Sequence, residues 1–157
     1  MTITEFYAAR LDETEAAAKA AWPGPWTYET ETGGFGPVGW VRVPITQTKG
    51  AFTGLTTFTP LGTTDADTCA HIALHDPARV LREVEAKRKI LMLHDRMSVL
   101  PGHPMFNDAH LTREPMVLCR SCEPETMFRR TDSWPCRTLR ALAAVYSDHP
   151  DWREDLA

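Results

Sequence analysis

Apolar side chains recur at helical spacing near the start of the chain. Between residues 3 and 20 they return every three or four positions, and acidic residues occupy the opposite side. This amphipathic pattern predicts a first helix over residues 3–20. The sequence WPGPW at residues 22–26 predicts its end, because two prolines around a glycine favour a turn into an extended segment.

Residues 26–59 change to threonine, valine, tryptophan and phenylalanine, punctuated by glycine. This composition is typical of strands, and we expect an antiparallel sheet of two or three strands over residues 26–31, 39–44 and 51–58. Glycines crowd the first connection and superficially suggest a phosphate-binding loop. No helical pattern follows them to present its N-terminus to an anion, so a hairpin is the better interpretation.

Two aspartate signals in the middle of the chain mark helix starts. Residues 65–67 (DAD) begin a short pattern that runs to Leu74, and Asp76-Pro77 begins a longer one that runs to about residue 95. An N-cap carboxylate accepts hydrogen bonds from unpaired backbone amides, and proline has no amide to lose. Apolar positions of the longer helix form one stripe that ends at His94. We therefore expect His94 to point inward.

The last third of the chain combines a loop and a helix. Residues 96–118 contain three prolines and no clear period, which predicts a long loop that needs an anchor. A last helix is predicted from about Cys136 through Tyr146, and Asp148-His149-Pro150 ends it.

Together these elements predict an α+β fold with a small antiparallel sheet and about four helices. The 157 residues fit one domain, residues 1–157. Within it we expect a helix and sheet over 1–60, a helical hairpin over 65–95, and a zinc-stapled C-terminal half comprising the loop, a metal knuckle and the final helix over 96–157.

Composition and the absence of long apolar runs favour a folded cytoplasmic protein. Hydrophobic residues make up 43% and charged residues 24%. No apolar run approaches the roughly 18 residues needed to span a bilayer, and the N-terminus lacks the basic and apolar runs of a signal peptide. We therefore expect no membrane association. In a reducing compartment, clustered cysteines serve metal binding or catalysis more often than disulfides.

Three of the four cysteines cluster in the C-terminal half. Cys119 and Cys122 form a Cys-x-x-Cys pair, and Cys136 lies at the start of the last predicted helix. Three thiolates in this arrangement predict one structural zinc ion with a fourth ligand still to be supplied. His94 is the expected fourth ligand, with His110 as its principal rival and His103 as a weaker one.

A redox pair or a set of buried thiols is the competing interpretation of this cluster. A redox Cys-x-x-Cys normally follows a strand and opens a helix, whereas Cys122 precedes Glu123-Pro124. A closed set of three cysteines and one histidine leaves no open coordination position, so it supports structure and not hydrolysis.

Other chemistry-bearing residues give weaker signals. His71 and His75 have the i, i+4 spacing of a shared metal site next to Asp76, but no glutamate follows His71, so the zinc-protease pattern fails. Cys69 is expected to be a small buried hydrophobe. No Gly-x-Ser-x-Gly motif is present. We therefore predict no catalytic residues and no enzyme activity.

Charge is distributed unevenly although the net charge is only -4. Residues 1–78 carry four basic and nine acidic side chains, while residues 79–140 carry twelve basic and eight acidic ones. A basic face with Trp134 or Phe128 for stacking would suit nucleic acid, and a solvated helix face with a basic loop is the competing interpretation. The residues concerned are Lys87, Arg88, Lys89, Arg120, Arg129, Arg130, Arg137 and Arg140.

Several short segments resemble one known family. The residues that carry the resemblance are RLDE at 10–13, GPW at 24–26, HIALHDPARVLREVEAKR at 71–88, PCRTLR at 135–140 and SDHP at 147–150. They resemble small uncharacterised proteins of actinobacteria and their phages, the domain of unknown function 6221. The resemblance implies a source and a shared fold without an activity. The chain departs from that pattern in its longer stretch 96–118, which puts His103 and His110 in doubt as family ligands.

These observations predict a non-enzymatic, zinc-stabilised accessory or adaptor protein of actinobacterial or phage origin that binds a protein partner. The first alternative is a nucleic-acid-binding protein that uses its basic, zinc-bearing half. The second is a phage counter-defence protein that captures a host factor or a nucleotide.

Overall fold

The computed structural model describes residues 1–33, 36–46, 53–58, 66–99, 116–122 and 134–154. Within these ranges the chain has the predicted α+β fold. In chain order its elements are α1 (Ile3–Ala20), β1 (Thr27–Gly33), β2 (Gly36–Thr46), β3 (Thr53–Phe58), α2 (Ala66–Leu74), α3 (Pro77–Leu93), β4 (Arg96–Val99), β5 (Met116–Cys119) and α4 (Arg137–Ala144).

No helix in the described part of the chain has the length and apolar character needed to cross a membrane. The strands form two antiparallel sheets, of order β1-β2-β3 and β4-β5. The chain divides into two compact units. We call residues 1–11 and 86–157 the terminal unit and residues 12–85 the central unit. The single domain expected from the sequence stays a prediction.

Helix α1 begins and ends where the sequence predicts. At its start, the hydroxyl of Thr2 accepts from the amide of Glu5 at 3.3 Å, and the carboxylate of Glu5 accepts from the amide of Thr2 at 2.7 Å. This reciprocal capping box satisfies two amides that a helix N-terminus otherwise leaves unpaired.

In the central unit, α2 packs against the three-stranded sheet. β1 and β2 pair from Thr27 opposite Arg42 to Gly33 opposite Gly36, which confirms the predicted hairpin. The core contains Val41, Val43 and Cys69, with Trp26 and Ile72 packed against it. Cys69 is fully buried, as expected of a small hydrophobe.

Asp76 caps helix α3 as predicted. Its carboxylate accepts from the backbone amide of Arg79 at 2.6 Å. The cap is buried, and a Cβ on Gly24 would lie 2.9 Å from its carboxyl carbon. Glycine at residue 24 therefore leaves the space in which the carboxylate reaches the helix.

In the terminal unit, the start of α1 is buried against the C-terminal segment. The ring of Phe6 contacts the rings of His149 and Trp152, and the ring centroids of Tyr7 and Tyr146 lie 6.1 Å apart. Burial, with a smaller contribution from Tyr146, raises the pKa of Tyr7 to about 12. Buried aromatic rings thus hold this part of the unit together.

The prediction of one long loop over residues 96–118 is wrong at both ends. β4 and β5 pair there as a second sheet, from Arg96 opposite Cys119 to Val99 opposite Met116. Strands of four residues are too short to show an alternating pattern, and prolines and a glycine dominate the segment between them. The residues between the two strands lie outside the described part of the chain.

Candidate metal centre

The pairing of β4 with β5 places the end of helix α3 beside the Cys-x-x-Cys turn. In an antiparallel pair with Arg96 opposite Cys119, the residue two positions before Arg96 lies level with Ser121, and that residue is His94. The backbone amide of Arg120 donates to the carbonyl of Asp95 at 2.9 Å, continuing the contact beyond the strands. The register of a short sheet therefore sets the position of His94.

The turn itself is tied to helix α3. The hydroxyl of Ser121 donates to the carbonyl of Leu93, one of the last carbonyls of the helix. Such carbonyls lack a partner within the helix. The contact therefore satisfies a helix end and fixes the turn that carries Cys119 and Cys122.

Cys136 reaches the same point from helix α4. It is the N-cap residue, with extended backbone angles φ -73° and ψ 167°. The backbone amide of Trp134 donates to the carbonyl of Val117 at 3.3 Å, which holds the approach to the helix against β5. Cys136 is consequently fully buried beside Cys119.

The structure brings together all four residues predicted as metal ligands. The Nδ1 atom of His94 lies 3.4 Å from the Sγ atom of Cys119 and 3.5 Å from those of both Cys122 and Cys136. One ligand atom from each residue lies within 4.8 Å of every other.

These distances fit a shared cation better than hydrogen bonds. A tetrahedral zinc ion with ordinary Zn–S and Zn–N bonds separates nitrogen from sulfur by about 3.6 Å. A neutral imidazole nitrogen has only one lone pair, so the Nδ1 atom of His94 cannot accept hydrogen bonds from three thiols at once. The four side chains can therefore hold one metal ion.

Apolar side chains enclose the sulfur atoms. Leu139 is buried with Cys119 and Cys136, and Leu91 and Trp134 pack against this cluster. Cys122 is half-buried. The enclosure keeps water from most of the centre, which strengthens the attraction between thiolates and a cation.

Without a cation the pKa values of the Cys122 and Cys136 thiols shift in opposite directions. Burial is the main influence on Cys122, and together with the thiols of Cys119 and Cys136 it raises the pKa of Cys122 to about 12. Forcing three thiolates together is therefore costly unless a positive ion binds them.

Cys136 is the most acidic of the perturbed thiols. Burial is again the largest influence and raises its pKa, but the backbone amides of Leu139 and Thr138 and the two neighbouring thiols lower it by more. The net result is a pKa below the ordinary value. Helix α4 makes no well-aligned capping hydrogen bond to the sulfur, so its amides act through proximity to the thiolate.

The remaining predicted sites do not converge in the described part of the chain. The rings of His71 and His75 lie 4.5 Å apart on the exposed side of α2, but no third ligand joins them there. His103 and His110 lie outside the described residues, as do Phe128, Arg129 and Arg130.

Sequence reasoning missed the residues that position the ligands. Ser121 and Arg120 lie between the two cysteines of the turn. The hydroxyl of Ser121 donates to the carbonyl of Leu93 at the end of α3, and the backbone amide of Arg120 donates to that of Asp95, just beyond the helix. The sequence suggests Trp134 only as a stacking surface for bases, whereas its backbone amide bonds to β5 ahead of α4 and its side chain packs against the cluster of Cys119, Cys136 and Leu139. In the sequence, the polar side chain of Ser121 between the two cysteines is the signal that could have indicated a bond to the end of α3.

Comparison with known proteins identifies a family. A family profile described as "Family of unknown function (DUF6221)" matches residues 1–156. No curated protein and no solved structure matches the chain.

Proposed function

The chain belongs to the DUF6221 family, whose function is unknown, and from its metal centre we propose a non-enzymatic accessory protein. In this proposal one structural zinc ion, held by His94, Cys119, Cys122 and Cys136, stabilises the terminal unit. The protein then acts by binding a partner. An actinobacterial or phage source and a cytoplasmic location stay predictions of the sequence.

The convergence of three sulfur atoms on one imidazole nitrogen carries this proposal. Thiolates with an imidazole suit zinc and disfavour magnesium and calcium, which prefer oxygen ligands. Four protein ligands complete a tetrahedral shell, so no position is left for a water molecule or a substrate. This supports a structural ion and argues against metal-assisted hydrolysis.

Elemental analysis of the purified chain tests whether zinc is bound. The native mass, measured before and after chelation, gives the number of ions per chain. We expect one zinc ion per chain. Substituting cobalt should give the visible absorption of a tetrahedral site with three thiolates. A metal-free chain whose thiols all react with a thiol reagent would contradict the proposal and make the Cys-x-x-Cys pair a redox candidate.

The fourth ligand is tested by comparing two histidine variants. His94→Ala should lower zinc affinity by at least tenfold and change the cobalt spectrum. His110→Ala is the matched control and should retain both the affinity and the spectrum. The reverse result would assign the fourth position to His110.

Exposed apolar side chains next to the centre support a protein partner. Met92 and Leu93 directly precede His94 and are 75% and 61% exposed. Large apolar side chains exposed side by side are typical of interaction surfaces. Affinity capture with the zinc-loaded chain should recover one stoichiometric protein that Met92→Glu with Leu93→Glu fails to recover. Equal recovery by both chains, or no stoichiometric partner at several salt concentrations, would count against this surface.

A further inference from the structure

Three exposed arginines lie next to residues of the metal centre. Arg96 lies opposite Cys119 in the β4–β5 pair, Arg120 follows Cys119, and the backbone amide of Arg140 donates to the carbonyl of Cys136. Throughout the ranges that the structure describes, none of these three guanidinium groups has a carboxylate within ion-pair distance. Their charges are therefore available to an external anion.

Three arginines elsewhere in the described part of the chain make ion pairs. Arg10 pairs with Asp151 at 3.2 Å, and Arg79 pairs with Glu83 at 2.9 Å. Arg42 pairs with Glu29. Arg96, Arg120 and Arg140 therefore differ from these three paired arginines, although among the described residues Arg82 of the central unit is likewise exposed and makes no ion pair.

The negative charge of the metal centre is too small to balance these three guanidinium groups. A zinc ion with three thiolates and a neutral imidazole carries about one net negative charge. Three guanidinium groups exceed it. The adjacent carboxylate of Asp95 accepts from the backbone amide of Arg96 at 2.7 Å and makes no ion pair with the guanidinium group of Arg96 in the described structure. A positive surface is left over.

An aromatic ring lies beside one of these arginines. The guanidinium carbon of Arg96 lies 6.0 Å from the ring centroid of Trp134, which is partly exposed. A guanidinium plane beside a tryptophan ring offers flat surfaces on which bases stack. Exposed positive charge next to such a platform is the combination that single-stranded nucleic-acid sites use.

We propose that the surface formed by Arg96, Arg120, Arg140 and Trp134 binds single-stranded nucleic acid. The arginines contact phosphates, and bases stack on the guanidinium plane of Arg96, which lies over the ring of Trp134. This activity goes beyond the proposed function, but it requires the zinc-stabilised unit that the proposed function describes. Binding to phosphates and ring faces carries little sequence preference.

The test is fluorescence anisotropy of the full zinc-loaded chain with labelled oligo(dT) and oligo(U) of about 20 nucleotides, a length that covers a typical single-strand site. We expect binding that weakens with salt. Three phosphate contacts predict a slope of about -2 in a plot of log K against log salt concentration. The two probes separate DNA from RNA as the preferred strand.

Variants locate the surface. Arg120→Gln, at a side chain that makes no hydrogen bond or ion pair within the described residues, should weaken binding about fivefold and make the salt slope shallower by about 0.7. The triple variant with Arg96→Gln and Arg140→Gln added should lose at least tenfold. Arg82→Gln is the matched control, because Arg82 is an exposed arginine of the central unit, and it should bind like the unaltered chain.

Three results would overturn the inference. They are absence of binding by the zinc-loaded chain, equal losses in the Arg82→Gln and Arg120→Gln variants, and equally tight binding of polyaspartate, which would indicate an acidic protein as the ligand. Zinc is counted on the same samples. A chain without zinc refutes the proposed function, whereas a zinc-loaded chain that does not bind refutes only the nucleic-acid surface.

Discussion

The central and terminal units both bury cysteine, in different surroundings. In the central unit Cys69 packs with Val41 and Val43, and its sulfur lies close to Gly39. In the terminal unit Cys119 and Cys136 are also fully buried, but their sulfur atoms converge with that of Cys122 on His94. Burial alone therefore does not distinguish a packing cysteine from a ligand, whereas convergence on a nitrogen atom does.

The largest expected effect comes from replacing a cysteine ligand in the terminal unit. The buried cysteine of the central unit, replaced in a separate variant, is the control. Cys136→Ser should abolish zinc binding and unfold the terminal unit, because structural zinc contributes about 10–16 kcal/mol and a whole domain is stable by roughly 5–15 kcal/mol. Cys69→Ser should keep zinc and lose only about 1–3 kcal/mol, the cost of burying a hydroxyl group. Zinc analysis and thermal unfolding measure both.

A native-like melting temperature in Cys136→Ser, or loss of zinc from Cys69→Ser, would contradict the assignment of Cys136 as a metal ligand and Cys69 as a packing residue. Cys119→Ser provides an independent repeat on the buried ligand at the end of β5, and it should behave as Cys136→Ser does.

The next effect tests close packing in the central unit. A Cβ on Gly39 would lie 2.9 Å from the Sγ atom of Cys69 and 3.1 Å from the Cα atom of Ala66. Gly39→Ala should therefore lower the free energy of unfolding by about 1–3 kcal/mol, the usual range for overpacking. Urea denaturation measures the loss. Adding Cys69→Ala should restore part of it, and failure to do so would place the strain elsewhere.

A smaller effect is expected at the cap of α3. Asp76→Ala removes the acceptor for the amide of Arg79 and should cost about 0.5–2 kcal/mol. Asp76→Asn retains an acceptor and should recover most of that stability. Zinc content should be unchanged in both variants. Loss of zinc from Asp76→Ala would couple the central unit to the metal.

The smallest effect concerns the aromatic part of the terminal unit, which contains no metal ligand. Tyr7 has a pKa of about 12 in the folded chain, against about 10 in an unfolded one. Its stabilising effect is therefore complete below pH 10 and is lost as pH rises through 12. Relative to Tyr7→Phe, the unaltered chain should lose stability over this interval. If the free energy of unfolding changed equally with pH in the two chains, the burial of the Tyr7 hydroxyl group would be contradicted.

Local signals predicted the helices well. The Pro-Gly-Pro turn ended α1 near Ala20, and Asp76-Pro77 began α3, because both act within a few residues of the chain. The contact of Cys69 with Gly39 joins distant parts of the sequence and left no local pattern. The fold class could also be predicted, because periodicity and composition along the chain are enough to indicate it.

The metal centre was predictable in its residues but not in its construction. Cysteine spacing indicated the thiolates, and the apolar stripe of α3 indicated His94. The β4–β5 register that places His94 level with Ser121 was hidden, because two strands of four residues carry no period and lie far apart in sequence.

Hydrogen exchange followed by mass spectrometry, before and after chelation of the metal, tests most directly whether zinc holds the terminal unit. We predict that amides of β5 and α4 lose protection when zinc is removed, while those of β2 and α2, which supply the apolar core of the central unit, keep theirs. Unchanged protection of β5 and α4 in a fully metal-free chain would contradict it.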